Sequence, residues 1–273
     1  MDAISANTSL TCLELRHSSL GSRDGAVLAQ CLRGNTSLTS IDVGANPLGN
    51  AAVVAFAAGL EGNHTLRVLC VDECLLGVEG VTALVASATT GGCRLRSLRL
   101  AKNPLGPKGA AVLNGLLGPG GRLRHLDICN TSLQEEGAAV LAAGLSRNRS
   151  LASLRVCGNA VGPTGAEQLS AALGGSSRLQ TLDLRDNGIG RNDGGAPDER
   201  GGRALRCGLA STYTVHYSAP PVSCALTRRA PMAGRSSNRA PRCGNSTWAP
   251  TASRLRRWPR CRSPSSSGSS SAY

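Results

Sequence analysis

The sequence predicts an α/β solenoid, in which parallel strands form one layer and helices form the other. Two observations support this prediction. A pattern of leucines recurs seven times, about every 28 residues, along the 273-residue chain. Each unit also passes from a pattern typical of a short strand to one typical of a helix. The first leucines of the units are Leu10, Leu38, Leu66, Leu95, Leu123, Leu151 and Leu179.

The first half of each unit predicts a strand followed by a tight turn. In the most regular unit, Leu95–Leu105, the second and third leucines are two residues apart and share one face of a strand. The turn position that follows holds an asparagine in four units, and its side chain is expected to bond to the turn backbone. These asparagines are Asn46, Asn103, Asn159 and Asn187. In the other units Ser18, Cys74 and Thr131 stand there, which predicts weaker turns.

The second half of each unit predicts a helix, because apolar residues recur four apart, as at Leu113 and Leu117. A glycine near the helix start, such as Gly109, is expected to let the helix approach the strand layer closely. Because the units repeat in one direction, the strands must run parallel and the solenoid is predicted to be right-handed. Helices are wider (~10 Å) than the strand spacing (~4.8 Å), so the strands are expected on the concave side.

The repeating unit resembles a known class of repeat. The pattern L-x-x-L-x-L-x-x-N-x-L-G, followed by G-A-x-x-L-x-x-x-L, is similar to the ribonuclease-inhibitor-like leucine-rich repeats. That class includes ribonuclease inhibitor, the repeat domains of NOD-like receptors and Ran GTPase-activating protein. The resemblance covers residues 5–190 and implies a horseshoe arc that binds proteins. It does not indicate one member of the class.

The sequence divides into a repeat array and a tail. Residues 1–9 match the end of a preceding repeat, residues 10–190 form the array, and residues 191–273 lose the periodicity. The formal charge of +13 belongs mostly to the tail, since the first 190 residues hold 16 Lys+Arg against 14 Asp+Glu, a net charge of +2. The tail is rich in Arg, Ser and Pro. It is predicted to be either a disordered segment or the product of a shifted reading frame, without a packed domain.

The sequence favours a cytoplasmic protein, with the nucleus as the alternative. The segment Met1–Ser5 lacks the features of a signal peptide, and no long apolar run predicts a membrane helix. The 11 cysteines are therefore expected to be reduced thiols. Glycosylation triplets occur at several asparagines, but four of them precede a repeat's first leucine and the repeat explains them. These four are Asn7, Asn35, Asn63 and Asn148.

The sequence contains none of the catalytic or metal-binding motifs for which we searched. The phosphate loop G-x-x-x-x-G-K-[ST], the zinc motif H-E-x-x-H, the nucleophile motif G-x-S-x-G and C-x-x-C are absent. The four histidines are too scattered along the chain to form a metal set. The sequence therefore predicts a protein that is not an enzyme and that has no cofactor, metal or membrane partner.

The concave strand face is the expected binding surface, because its side chains point to solvent from a rigid sheet. Charged residues recur on this face between or just after the apolar strand positions. They are Glu14, Arg16, Asp42, Asp72, Glu73, Arg99, Lys102, Asp127, Arg155, Asp183 and Arg185. Two interpretations stay open, a mixed-charge surface for a protein partner and an ordinary solvated face.

Cys129 and Cys157 occupy the same position on this face in adjacent units. Neighbouring strands would place them about 5 Å apart, within disulfide reach. Two separate small side chains in a reducing compartment are favoured over a redox or metal pair.

The leading hypothesis is a non-enzymatic scaffold that binds a protein partner on the concave face. The resemblance adds two alternatives, a regulator of a small GTPase similar to Ran GTPase-activating protein and a repeat-domain fragment of a NOD-like innate immune receptor. Nucleic acid is expected to bind only through the basic tail. The tail segment at 254–260 combines arginines with Trp258, a mixture that suits phosphate contacts and base stacking.

Overall fold

Short strands and helices alternate along the chain. The computed structural model describes residues 2–90, 93–118, 120–174, 178–190, 198–208, 214–218 and 223–226. All of them lie in one compact unit, Met1–Arg242, and the second unit, Cys243–Tyr273, falls outside the described residues.

The strands are β1 (Cys12–Glu14), β2 (Ser40–Asp42), β3 (Val68–Cys70), β4 (Ser97–Arg99), β5 (His125–Asp127), β6 (Ser153–Arg155), β7 (Thr181–Asp183), β8 (Thr214–Ser218) and β9 (Ser223–Leu226). The helices are α1 (Asp2–Ser5), α2 (Ser22–Gly34), α3 (Gly49–Leu60), α4 (Val78–Thr90), α5 (Gly106–Leu117), α6 (Gln134–Leu145), α7 (Gly162–Leu173) and α8 (Arg200–Gly208).

The strands form one sheet in chain order, which confirms the predicted repeat fold. Strands β1 to β8 run parallel, and β9 pairs antiparallel with β8. The register is constant, because each strand's central apolar residue pairs with its counterpart, as Leu98 does with Leu69 and Leu126. Equivalent side chains of successive repeats therefore lie side by side, about 4.8 Å apart.

The core lies between this sheet and the layer of helices. In the fourth repeat Leu98, Leu100, Leu113 and Leu117 are at most 1% exposed. Burying each of these leucines stabilises the fold by roughly 1.5–3 kcal/mol. The core is almost entirely aliphatic, and Phe56 is the one phenylalanine in the sequence.

Each turn asparagine bonds to two repeats. The Asn103 amide nitrogen donates to the carbonyls of Leu100 in its own repeat and Val71 in the preceding one, at 2.9 and 2.8 Å. Its amide oxygen accepts from the backbone N–H groups of Cys74 and Leu76, both at 3.0 Å and both in the preceding repeat. Asn46 and Asn159 make the same kind of contacts, and so does Asn187.

This arrangement explains why repeats without the asparagine keep their turns. In the turns that contain Ser18, Cys74 and Thr131, the backbone N–H of that residue donates to the side-chain oxygen of an asparagine in the following repeat. The repeat pattern by itself shows each asparagine only within its own turn and for that reason predicts weaker turns at these three positions. The stabilising side chain of a turn belongs, in these cases, to its neighbour.

A second set of asparagines lies in the loops that lead from a helix to the next strand. Asn35, Asn63 and Asn148 are at most 3% exposed. The Asn63 amide donates to the carbonyls of Leu32 and Asn35, and its oxygen accepts from the N–H of Leu66. Because their amides are buried and bonded, these side chains have a structural role, which agrees with the repeat-based explanation of their triplets.

The glycines near the helix starts meet a different neighbour from the predicted one. A Cβ added at Gly109 would lie 2.5 Å from Leu105 Cβ, and one at Gly165 would lie 2.9 Å from Ala138 Cβ. Leu105 precedes the glycine's own helix and Ala138 belongs to α6. The glycines therefore allow close packing against residues of the helix layer. The prediction that they let the helix approach the strand layer is wrong.

The ordered chain continues beyond the predicted end of the array at residue 190. Helix α8 packs on α7, with Leu205 fully buried. The Ser170 hydroxyl donates to the Ala204 carbonyl at 2.8 Å. Strand β8 pairs with β7, with Val215 opposite Leu182. Residues 198–208, 214–218 and 223–226 thus form a helix and two strands within the segment predicted to be a tail, and the prediction for 227–273 lies outside the described residues.

The cross-repeat bonds make Asn103 a sensitive position. We predict that Asn103→Ala lowers the free energy of unfolding by about 2–4 kcal/mol, because several buried backbone groups lose their partners. Urea denaturation followed by circular dichroism measures this loss. Lys108→Ala, an exposed substitution on α5, serves as the control and should leave the denaturation midpoint unchanged. Equal midpoints for the two variants would contradict the structural role of Asn103.

Candidate functional site

The exposed face of the sheet carries a column of mostly charged side chains in strict register. The backbone pairing aligns the last residue of each strand from β1 to β7. Those residues are Glu14, Asp42, Cys70, Arg99, Asp127, Arg155 and Asp183. Because adjacent strands are about 4.8 Å apart, neighbouring charges interact directly.

The first half of this face forms an ion cluster around Asp72. The Arg16 Nη1 atom lies 3.4 Å from Asp42 Oδ1 and 3.4 Å from Asp72 Oδ2. The guanidinium of Arg99 contacts the same oxygen of Asp72. The other oxygen of Asp72 accepts the backbone N–H of Ala101 at 3.0 Å. The Asp72 side chain is only 3% exposed, so its carboxylate is fully engaged within the protein.

The second half of the face forms a similar cluster around Arg155. Its Nη1 lies 2.7 Å from Asp127 Oδ2, and its Nε lies 3.4 Å from Asp183 Oδ2. Arg185 Nη2 contacts Asp183 Oδ2 at 2.7 Å. The Asp127 and Asp183 side chains are 2% and 6% exposed, whereas the arginine side chains retain 27% and 41%. The carboxylates therefore lie beneath the guanidinium groups.

Burial and ion pairing act in opposite directions on these carboxyl groups. Burial raises the pKa of Asp72 and Asp127 above the usual value, and the nearby arginines offset only part of that effect. Burial also raises the pKa of Asp183, but the hydrogen bonds and charge of Arg185, together with Arg155, outweigh it and lower the pKa. Asp72 and Asp127 are thus the carboxylates that depend most on their arginines.

Three residues of the predicted binding set lie below the surface. The carboxylates of Asp72, Asp127 and Asp183 are buried under arginines and bonded to the backbone, and a partner contact at these residues stays a prediction. Their physical role is to hold the guanidinium groups of Arg99, Arg155 and Arg185 in place. The sequence pattern identifies the face to which these aspartates belong and does not reveal their burial.

The predicted residues most open to solvent are Glu14 and an ion pair at the end of the strands. Lys102 Nζ lies 3.0 Å from Glu73 Oε2, and the two side chains are 58% and 48% exposed. The hydrogen bond and charge of Lys102 lower the pKa of Glu73. Both residues have positive φ angles, 55° at Glu73 and 58° at Lys102, in the turns after β3 and β4. This pair lies where a partner on the sheet face would meet it.

Two cysteines of this face form a disulfide, which differs from the expectation of reduced thiols. Cys129 and Cys157 have Cα atoms 4.5 Å apart and are joined in a disulfide, whereas two separate thiols were favoured. The register that pairs Asp127 with Arg155 continues past the strand ends and places Cys129 beside Cys157. Cys70, which was not singled out as a site residue, is buried and free, and burial raises the pKa of its thiol to about 12.

The described residues contain no group of three or more potential ligands that could hold a metal ion. Within the same residues, none of the helices combines the length and apolar character needed to cross a bilayer.

Comparison with known proteins identifies the type of repeat. A family model described as "Leucine Rich repeat" matches residues 34–57, 93–113 and 176–196, so the chain contains leucine-rich repeats. Among solved structures it is similar to leiomodin-1 actin-binding site 2, at 14% identity and a TM-score of 0.38, over 56% of this chain and 74% of that chain. No curated protein matches the chain significantly. The ribonuclease-inhibitor-like subclass stays a prediction.

Removing Arg155 would leave Asp127 buried without its closest cation. We predict that Arg155→Gln lowers the free energy of unfolding by about 3 kcal/mol at neutral pH. The loss should shrink at acidic pH. The folded-state pKa of Asp127 is already raised, and without Arg155 it rises further, so the charge is destabilising above that pKa and is neutralised as the pH falls.

Urea denaturation at both pH values tests this prediction. The double variant Arg155→Gln/Asp127→Asn should recover much of the loss at neutral pH, because no uncompensated charge remains at that position. Lys102→Gln is the control, and it should leave the midpoint unchanged because its ion pair is exposed. A loss that grows as the pH falls would contradict the assignment of Asp127.

Proposed function

We propose that the chain is a non-enzymatic scaffold that binds a protein partner on the exposed face of its sheet. The observation that carries this proposal is the register of arginines and buried aspartates across that face. The guanidinium groups of Arg16, Arg99, Arg155 and Arg185 are held by carboxylates. Because these side chains are already ordered, they lose less conformational entropy when a partner binds them.

The chemistry of the face indicates what kind of partner would fit. The carboxylates of Asp72, Asp127 and Asp183 lie beneath the surface, whereas the arginines keep part of their surface exposed. A guanidinium has five N–H donors in a planar fork, so each arginine can bond an aspartate and a partner group together. Partner carboxylates or backbone carbonyls would lie over the arginines, and a partner cation would lie near Glu14 and Glu73.

The repeat architecture supports the non-enzymatic part of the proposal. Leucine-rich repeats generally act as interaction scaffolds, and three segments of this chain match such repeats. Most of the charged groups on the sheet face pair with one another, and the thiol among them, Cys70, is buried, which raises its pKa to about 12 and keeps it a poor nucleophile. Their arrangement suits recognition of a complementary surface better than a reaction.

A charge swap tests the proposal without disturbing the ion pair. We predict that Glu73→Lys/Lys102→Glu weakens binding of the partner by about tenfold or more, because like charges then face each other across the interface. The swap keeps both the net charge and the internal attraction. Affinity purification from a cell lysate with quantitative mass spectrometry identifies the partner, and titration of the purified complex measures the affinity.

The matched control is a swap of the Glu199–Arg203 ion pair at the start of α8. Glu199→Arg/Arg203→Glu also preserves its ion pair and the net charge, but it lies on the helix layer. This control should retain the partner at full affinity. A partner lost by the α8 swap and kept by the Glu73/Lys102 swap would place binding elsewhere. Accelerated GTP hydrolysis by Ran in the presence of the chain would contradict a purely non-enzymatic role.

A further inference from the structure

The edge of the sheet at which the chain enters each strand is strongly basic, whereas the opposite edge carries charges of both signs. The described loops and strand starts at 61–67, 93–97, 120–125, 146–153 and 178–181 contain eight arginines and a single acid, Glu61. The other acids of residues 3–190 lie on strands, helices or the turns that lead from a strand to a helix. A net charge near zero for the array therefore conceals a strongly basic edge.

Five of these arginines form a compact set, which we name the arginine edge: Arg67, Arg94, Arg96, Arg122 and Arg124. The N–H of Arg96 donates to the Arg67 carbonyl, and the N–H of Arg124 donates to the Arg96 carbonyl, both at 2.8 Å. These bonds align three arginines across consecutive repeats. Arg94 and Arg122 precede their partners by two residues, which span at most about 7 Å.

The arginine edge is not neutralised within the described part of the chain. Arg94, Arg96, Arg122 and Arg124 are exposed, and none of them takes part in the ion pairs seen there. The guanidinium of Arg67 instead donates to the backbone carbonyls of His64 and Leu66. Burial, followed by the charges of Arg94 and Arg96, lowers the pKa of Arg67, as expected where cations are close together.

The contrast with the sheet face shows that this arrangement is distinctive. On the sheet face Arg16, Arg99, Arg155 and Arg185 each contact an aspartate of the same chain. At the arginine edge the cations repel one another and form no ion pair within the described residues, so an anion from a partner would relieve that repulsion. The two surfaces are separate, so an assignment for the edge does not depend on the function proposed for the sheet face.

We propose that the arginine edge binds an acidic segment of a protein partner. An extended peptide places alternate side chains about 6.6–6.8 Å apart, close to the reach from Arg94 to Arg96. Guanidinium groups bind carboxylates through paired hydrogen bonds. Single-stranded nucleic acid is the less suitable ligand, because no Phe, Tyr or Trp occurs between Phe56 and Tyr213 to stack with bases.

The experiment compares two variants of the full chain that lose the same number of cations. The edge variant is Arg94→Gln/Arg96→Gln/Arg122→Gln/Arg124→Gln. The control is Arg23→Gln/Lys108→Gln/Arg200→Gln/Arg203→Gln, whose sites are exposed on the helix layer. Equal net charge keeps the contribution of the basic tail constant. Circular dichroism and urea denaturation check that both variants are folded.

Fluorescence anisotropy with a labelled oligoglutamate peptide at low salt gives the readout. The edge variant should bind about tenfold more weakly than the control, which should stay close to the unmodified chain. Equal affinities for the two variants would overturn the proposal, because net charge alone would then explain binding. Tighter binding of labelled oligo-dT than of the peptide, lost in the edge variant, would also overturn it and assign the edge to nucleic acid.

Discussion

The structure depends on buried asparagine amides that bond two repeats at once. Asn103 donates to carbonyls of its own and the preceding repeat and accepts two N–H groups from the latter. Without these bonds, backbone groups at the strand ends would be buried without partners, which costs about 1–3 kcal/mol each. A turn is therefore completed by its neighbour, and the stability of one repeat cannot be separated from that of the next.

The same constant register determines the electrostatics of the sheet face. Side chains at equivalent positions lie one strand spacing apart, so the alternation of aspartate and arginine along the sequence becomes a row of contacts. Asp127, Arg155 and Asp183 illustrate this, since one arginine bridges carboxylates of two neighbouring strands. A buried carboxylate is tolerated only because the adjacent repeat supplies its cation. Charge, like hydrogen bonding, is therefore balanced between neighbouring repeats as well as within them.

The sequence predicted what repeats at a fixed spacing, and it failed where the structure departs from that spacing. The leucines and Asn103 recur every 28 residues and are sufficient to predict strand order, register and core. Val215 pairs with Leu182, 33 residues earlier, so the 28-residue spacing could not predict β8. Likewise, Asp72 could be assigned to the sheet face, but its burial depends on Arg16 and Arg99, which lie in different repeats.

Charge in this array is informative only when it is assigned to a surface. The net value for residues 1–190 is near zero, yet it combines a sheet face where cations and anions neutralise each other with an edge where they do not. On the sheet face, substituting one member of a pair exposes the other to the penalty of burial, so these charges are coupled to the stability of the fold. At the arginine edge the side chains are solvated and can change without that penalty. Substitutions at the arginine edge therefore leave the stability of the fold unchanged, whereas substitutions of the paired charges on the sheet face reduce it.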